Sequence, residues 1–501
     1  PYNYTRIFVH IQPRKSSFDM KHLHVKNLSS HILLNALRDD SLNLYVKRLS
    51  LNEQAGLNIR SFTFKLAANK THAALTDLDL QLPASRLSLG DINASYRLQD
   101  GKLTPGSLNY TGSILPSSIL PNDILALVPK ARKFSKPVLV RSSFSGTDHT
   151  LSLQRFEASM PKSLQHQTFS APADFHVSLS GEFNKIGSTL QWMTNISELT
   201  VDRDGMGLLA SDIPDIVGRM QYFSYRGKAS GQGRAFSTKG TLQSGTGNAD
   251  VDFAINNGKF IGHVATNGFD LRQLLNNNQF GKLITDINVS GNINHKFYKA
   301  QGTITDIDFN GYSYQNINLD GTFNRGLLDG TLSIDDPNLA ADIKGSLNTN
   351  THSTAANLTA TISHFMPSAL HLLKKQLGEA SYTANIAASF TGRDLNSVVG
   401  HVNVDQLTKT SEKGQYTLDS LRLRAGNNRE GHYLTLNSDF ADVSLSGRFD
   451  YSTLIQTLKN AVASKLPSIQ QLTNIRYRRT VGNDFSLQGT VTRTDWLREF
   501  F

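Results

Sequence analysis

The histidines are the residues in this chain best suited to bind a metal ion. His22 and His24 would lie on one face of a strand, a spacing that can chelate a cation. No carboxylate follows them at a recognisable offset, and no His-Glu-x-x-His motif occurs in the sequence. We therefore expect both imidazoles to be surface groups beside a basic segment. The sequence predicts no metal site and no cofactor.

The remaining chemistry-bearing groups also fail to form a catalytic pattern. The glycine-rich stretch 227–233 lacks the third glycine of a dinucleotide fingerprint and has no helix behind it, so we interpret it as turns or bulges. No Gly-x-Ser-x-Gly nucleophile motif occurs, and the absence of cysteine excludes thiol catalysis and cysteine-ligated zinc. Asp335 and Asp336 are expected to shape the turn before Pro337. We predict that the chain is not an enzyme.

Composition excludes further classes of protein. The 501 residues include 51 Lys and Arg against 41 Asp and Glu, a formal charge of +10. Dense basic patches occur only at 13–15, 129–136 and 476–479 and do not form one stripe with interleaved stacking aromatics, so we expect no nucleic-acid partner. No window approaches the roughly 18 uncharged apolar residues that a spanning helix requires. Because the chain begins with proline, we expect it to be a piece of a longer protein.

The dominant pattern is a two-residue alternation of apolar and polar side chains. Val251, Phe253 and Ile255 alternate with polar neighbours before the turn Asn257-Gly258. The same alternation continues through 317–323, 328–334, 339–347, 434–440 and 443–449, with turns at 324–326 and 335–338. Successive strand residues point to opposite faces, so each run has one apolar face. Short turns between consecutive runs indicate an antiparallel meander.

Helical patterns are few and short. They fall near 270–280, 367–377 and 452–466, with shorter candidates at 122–128 and 213–220. We expect these amphipathic helices to cover parts of the sheet. The predicted segments are a β-rich part with a proline-rich, irregular end (1–150), a β-rich part with a short helix (151–240) and continuous meander repeats (241–501).

A sheet of this length must curl, close or split into packed layers. The predicted fold is therefore mostly β, a long curled antiparallel meander sheet with a few short amphipathic helices. Alternation alone leaves open whether the apolar face packs against a second sheet or lines an open groove.

Several segments carry a resemblance to a known family. Residues 310–347 resemble the repeating core of the TamB proteins, the translocation and assembly module subunits of Bacteroidetes-type bacteria. Segments 49–66, 268–288, 364–377 and 421–451 are also similar to that family. The resemblance is strongest from about 240 onward and weakest between 105 and 230.

The resemblance implies properties that the alternation does not show. TamB proteins are AsmA-like members of the bridge-like lipid-transfer superfamily, whose groove-like curled sheet is called a β-taco. They are anchored in the inner membrane and cross the periplasm with an apolar concave face. We therefore expect a periplasmic, non-enzymatic bridge that carries phospholipids between the membranes of a Gram-negative cell envelope, with an inner-membrane anchor in the missing N-terminal part. An Omp85-type outer-membrane protein is the expected protein partner, and phospholipid acyl chains are the expected ligand.

With this resemblance, the apolar side chains of the alternating runs become candidate groove-lining residues. They are Val251, Phe253, Ile255, Leu319, Phe323, Leu328, Leu332, Ile334, Leu339, Ile343, Leu436, Phe440, Val443, Leu445 and Phe449. Two alternatives remain. One is a scaffold for the assembly of outer-membrane β-barrel proteins or autotransporters, whose sheet edges pair with incoming strands. The other is a secreted β-helical carbohydrate-active enzyme, which needs a carboxylate pair brought together from distant parts of the chain.

Overall fold

A computed structural model describes residues 24–38, 41–54, 56–163, 165, 168–211, 213–349, 353–371, 379–429, 431–465 and 482–493. The chain is mostly β and forms an antiparallel meander with few short helices, as the alternation predicts. It divides into two compact units. Unit 1 comprises Pro1–Asn257 with Gln273–Asn276, and unit 2 comprises Gly258–Arg272 with Asn277–Phe501.

Unit 1 is built from antiparallel strands that mostly pair with their chain neighbours. The strands are β1 (Val25–Arg38), β2 (Ser41–Glu53), β3 (Asn58–Ile59), β4 (Ser61–Asn69), β5 (His72–Gln81), β6 (Arg86–Ser88), β7 (Ile92–Ser95), β8 (Leu98–Gln99), β9 (Lys102–Leu103), β10 (Asn109–Ile119), β11 (Val138–Thr147), β12 (Thr150–Pro161), β13 (Ala173–Asn184), β14 (Gln191–Val201), β15 (Phe223–Gln232), β16 (Ala235–Ser244) and β17 (Gly247–Asn256). Helices α1 (Arg203–Leu209) and α2 (Asp215–Gly218) and 3₁₀ turns at Pro121–Ile124 and Pro129–Lys133 interrupt them.

The glycine-rich stretch 227–233 differs in part from its predicted turns or bulges. Gly227 and Gly231 lie inside β15, and only Gly233 occupies a turn, at φ +57°. Gly231 is opposite Trp192 on β14, and a Cβ at Gly231 would come within 2.7 Å of the indole ring. Position 231 is therefore a glycine because the Trp192 ring occupies the space that a Cβ would take.

Unit 2 continues the meander with longer strands. They are β18 (Lys259–Asp270), β19 (Phe280–Asn292), β20 (Phe297–Phe309), β21 (Tyr312–Asn324), β22 (Leu327–Asp336), β23 (Leu339–Asn348), β24 (Thr354–Phe365), β25 (Ser381–Gly392), β26 (Val399–Ser411), β27 (Gly414–Asn428), β28 (Gly431–Ser438), β29 (Ala441–Arg448) and β30 (Asp484–Val491). Each pairs antiparallel with the next.

The helices predicted near 270–280 and 452–466 are present as α3 (Leu271–Leu275) and α4 (Tyr451–Lys465). A third, predicted at 367–377, begins as turns up to His371, and the rest lies outside the described residues. A 3₁₀ turn also occurs at Leu395–Ser397. Among the described residues, no helix has the length and apolar character needed to cross a membrane.

Hydrophobic clusters cover part of the apolar face of unit 2. Leu370, fully buried, packs with Tyr314, Ile317 and Ile334, and Leu332 contacts this cluster. At the C-terminal end, Leu454 of α4 packs with other buried residues against the strands. The turn and the helix thus act as local covers, as predicted for the amphipathic segments.

Candidate functional site

One face of the sheet in unit 2 carries three neighbouring rows of mostly apolar residues, and each row runs from strand to strand through paired positions. We call these rows together the apolar strip. Row one contains Phe260, Gly291, Tyr298, Phe323, Leu328, Leu347, Ala356, Phe390, Gly400, Ala425, Leu434, Leu445 and Leu487. Row two contains Gly262, Val289, Ala300, Gly321, Gly330, Gly345, Leu358, Ala388, Val402, Leu423, Leu436, Val443 and Gly489. Row three contains Val264, Ile287, Gly302, Leu319, Leu332, Ile343, Ala360, Ile386, Val404 and Leu421.

Three consecutive glycines make a groove in the middle of the strip. Gly321, Gly330 and Gly345 face one another across β21, β22 and β23. On their two sides stand the apolar side chains of row one and row three. Residues four apart on a strand are separated by about 13 Å, so the walls leave a floor without side chains between them. The Leu358 side chain bounds this floor at Gly345, where a Cβ would lie 3.2 Å from Leu358 Cδ1. We call this feature the glycine-floored groove.

Row one remains open to solvent along its middle. The exposed fractions are 37% for Tyr298 and Phe323, 47% for Leu328 and 39% for Phe390. Row three is more covered, since Leu332 contacts the cluster around Leu370. Aromatic and leucine side chains that stay this exposed, side by side, are typical of a binding surface rather than of a closed core.

The predicted groove-lining residues distribute unevenly over these features. Leu319, Leu332 and Ile343 lie in row three, Phe323, Leu328 and Leu445 in row one, and Leu436 and Val443 in row two. Ile334 and Leu339 lie on the same face, beyond row three. Phe440 lies in the turn after β28, packed with Leu418, and Phe449 follows β29 and packs with Leu454. Val251, Phe253 and Ile255 belong to β17 of unit 1.

Unit 1 carries a comparable row, which the sequence patterns identify only at β17. It runs through Leu37, Leu42, Ala68, Ala73, Ala94, Tyr110, Gly146, Leu151, Phe183, Trp192, Gly231, Phe236 and Ile255. Phe253 belongs to the adjacent row, which contains Thr194 and Thr238 and is therefore less apolar.

Each unit also has a broad surface cavity. The cavity of unit 2 has a volume of about 840 Å³ and that of unit 1 about 880 Å³. At one end of the unit 2 cavity, Asp405 is in the lining and its strand neighbour Val404 is not. At one end of the unit 1 cavity, Thr150 and Ser152 are in the lining and Leu151, which lies between them, is not. Alternate strand residues point to opposite faces, so these ends of the cavities lie on the polar face. The lining of the unit 2 cavity also contains the six members of row three from Gly302 to Ile386, so this cavity shares residues with the apolar strip.

A group of carboxylates in unit 1 has a spacing that could suit a cation. Oxygen atoms of Asp174, Asp202 and Asp204 all lie within 4.8 Å of one another. Lys136 Nζ is 2.6 Å from Asp174 Oδ2, and Lys162 pairs with Asp202 and lies 3.7 Å from Asp204. Burial alone would raise the pKa of Asp202, but the hydrogen bond from the Gly205 N–H and the Lys162 ammonium lower it below its usual range. Two lysines thus offset two of the three negative charges, which suits a structural ion network.

A second charged group surrounds the buried Glu157 on β12. Its Oε2 lies 2.6 Å from Arg141 and 2.8 Å from Arg155, and the Phe169 ring covers the Arg141 guanidinium at 4.4 Å. Burial alone would raise the pKa of Glu157, but the hydrogen bonds and charges of the two arginines hold it below its usual range. The arrangement joins β11 and β12 through a buried carboxylate held by two arginines.

Comparison of this chain with protein-family models, with curated proteins and with solved structures found no match. The central element of the site, the glycine row, was not among the predicted groove residues, although the register of the hairpins contains it.

Proposed function

We propose that this chain is a non-enzymatic lipid carrier that binds phospholipid acyl chains along the apolar strip of unit 2. In this proposal the protein belongs to the periplasm, as the TamB resemblance implies, and moves lipid between the inner and outer membranes. The observation that carries the proposal is the glycine-floored groove between two apolar walls, one of which is exposed to solvent.

The groove suits an acyl chain in chemistry and in dimensions. Its floor at Gly321, Gly330 and Gly345 has no side chains, and Leu328 and Leu332 stand on its two walls. Walls about 13 Å apart leave room for a methylene chain. Each buried CH₂ contributes about 0.8 kcal/mol, so a chain lying across several strands would be held without any hydrogen bond. A binding mode of this kind needs no fixed polar contact and allows a lipid to move along the rows.

A pair of photo-crosslinking variants tests this proposal. A photoreactive residue at Leu328 would project beside the groove, while one at the neighbouring Asp329 would project from the opposite face. In cells labelled with radioactive phosphate, we expect labelled lipid on the Leu328 variant and none on the Asp329 variant. Equal labelling at both positions, or none at either in folded and abundant protein, would contradict the proposal.

A second candidate function is a scaffold for outer-membrane protein assembly. It is favoured by β30, which pairs only with β29 among the described residues and has mostly exposed side chains. A strand with an unpaired edge can accept another strand. This function predicts that proline substitutions in β30 abolish activity while a charge at Leu328 is tolerated. The lipid-carrier proposal predicts the reverse.

A further inference from the structure

Carboxylates in or next to the turns of unit 2 accept backbone hydrogen bonds at both ends of the strands. At one end, Asp308 accepts a hydrogen bond from Lys282 N at 3.0 Å, and Asp439 accepts one from Asp419 N at 2.6 Å. At the other end, Asp394 accepts one from Ser397 N at 2.9 Å. The turns after β19 and β21, at this second end, carry Lys296 and Arg325. Both are exposed, and neither forms an ion pair with any residue that the structure describes.

These two turns are held together by backbone acceptors. Arg325 N donates to Lys296 O at 3.1 Å, and Arg325 Nε donates to His295 O at 3.4 Å. Cavities of about 500 and 530 Å³ lie beside the turns, and both include His295 and Arg325 in their linings. The arrangement fixes the Arg325 side chain through Nε, while its two terminal nitrogens have no hydrogen-bond partner among the described residues. Those nitrogens are the groups that bind phosphate best.

The cationic turns adjoin the exposed wall of the apolar strip. Phe323 lines one of the two cavities and is also a member of row one, two residues before Arg325. Tyr298, two residues after Lys296, stacks with Phe323 at a centroid distance of 6.1 Å. An amphiphile with its chain against row one would therefore bring its headgroup to Lys296 and Arg325.

We propose that Lys296 and Arg325 form a headgroup site that selects phospholipids with a net negative headgroup, and this inference rests on the lipid-carrier function proposed above. Neither 293–297 nor 324–327 contains a carboxylate, so the two turns offer no partner for the ammonium of a zwitterionic headgroup. The positive charge and the adjoining apolar wall together fit an anionic lipid rather than a free anion or a neutral chain.

The test uses a double variant designed to keep the turns intact. Lys296 and Arg325 have φ values of +51° and +47°, a region that asparagine tolerates well, so Lys296→Asn with Arg325→Asn preserves the backbone. The matched control is Lys344→Gln, which removes an exposed cation from the polar face. Binding of fluorescent phosphatidylglycerol and phosphatidylcholine to the full chain is measured for each protein, with melting curves to confirm the fold.

We expect the wild type to prefer phosphatidylglycerol, and the double variant to lose roughly fivefold to tenfold in affinity for that lipid alone. The control variant should bind both lipids as the wild type does. Unchanged phosphatidylglycerol affinity in the double variant, or an equal loss in the control, would overturn the headgroup site while leaving the lipid-carrier function standing. Displacement of the lipid by inorganic phosphate at millimolar concentration would make the turns a free-phosphate site. Failure of both lipids to bind the wild type would refute the carrier function itself.

Discussion

Gly321 and Gly330 lie directly opposite each other on β21 and β22, yet they are glycine for different reasons. A Cβ at Gly330 would come within 2.7 Å of Asp320 O and 2.9 Å of Gly321 Cα, so no larger residue fits without moving the backbone. A Cβ at Gly321 would meet nothing closer than Asp329 O at 3.7 Å, an ordinary contact. Gly321 therefore keeps the groove empty although the fold does not require it.

Filling the groove at Gly321 should block lipid binding without unfolding the protein. In Gly321→Leu, the new side chain would occupy the floor between Leu319 and Phe323, while the strand gains a residue with better β-propensity. We expect bound phospholipid, measured by mass spectrometry of the purified protein, to fall at least about fivefold, the equivalent of one or two lost methylene contacts. Thr322→Leu, which adds the same side chain on the opposite face, should retain the wild-type amount. Wild-type lipid content in Gly321→Leu would contradict the assignment of the groove.

A charge on the apolar face should destabilise unit 2. Leu332 contacts the cluster around Leu370, and Leu332→Asp would place a carboxylate there without a partner. We expect a loss of about 2–4 kcal/mol in the free energy of unfolding, measured by urea denaturation. Thr331→Asp, on the exposed polar face, should stay within about 0.5 kcal/mol of the wild type. Equal effects of the two substitutions would show that the faces are not distinct.

The turn between β22 and β23 depends on the buried Asp336. Its Oδ1 accepts hydrogen bonds from Tyr312 OH at 2.6 Å and from Asn338 N at 2.8 Å, and its Oδ2 accepts one from Gln315 N at 3.0 Å. Asp336→Ala leaves these three donors without that acceptor. We expect the free energy of unfolding, measured by thermal denaturation, to fall by about 2–4 kcal/mol. The control Asp335→Ala removes an exposed carboxylate and should be nearly neutral in the same thermal melt. A neutral Asp336→Ala would exclude a structural role for the network.

Glu157 should give unit 1 an acid-sensitive contribution to stability. Its pKa is lowered in the folded state, so its ion pairs stabilise the fold above the unfolded pKa of about 4.3 and are lost as the pH falls through the lower folded value. We expect Glu157→Gln to lower the free energy of unfolding by about 1–3 kcal/mol at pH 7, because Arg141 and Arg155 lose their charged partner. The difference from the wild type should shrink below about pH 4. Chemical denaturation at both pH values checks this, and a constant difference would contradict it.

The strands and several turns of unit 2 could be predicted because alternation and turn residues act locally. The turn at Arg325 and Gly326 has φ values of +47° and +91°, as a tight hairpin requires. Asp336 shapes its turn as expected, by accepting from Asn338 N. Helix α4 begins at Tyr451, one residue before the predicted Ser452, because Asp450 caps its first turn by accepting a hydrogen bond from Ser452 N at 2.7 Å.

The glycine row was missed because it depends on register rather than on composition. The sequence suggests a turn of four residues at 335–338, which would pair Ile334 with Leu339 and move Gly330 away from Gly345. In the structure the turn is only Pro337 and Asn338, so Asp336 pairs with Leu339 and Gly330 falls opposite Gly345. A two-residue error in one turn was enough to conceal the floor of the groove.

Contacts that join distant parts of the chain could not be predicted from sequence patterns. Lys136 reaches Asp174 across 38 positions, and the buried Leu370 belongs to a turn whose apolar residues suggested an ordinary helix stripe. Neither contact leaves a periodic signal, because each is produced by how the sheet brings strand ends together. Periodicity does not identify the cations Lys296 and Arg325 either, because their importance comes from the row of apolar residues that lies beside them.

Among the residues of unit 2 that the structure describes, each strand pairs only with the strands before and after it, and this makes the hairpin a natural module for change in length. Removing both β22 and β23 would bring Phe323 opposite Ala356, with apolar faces in phase and chain directions preserved. Removing one strand alone would reverse every direction beyond it. Evolution can therefore lengthen or shorten the apolar strip by whole hairpins, about 10 Å at a time, without redesigning the neighbours.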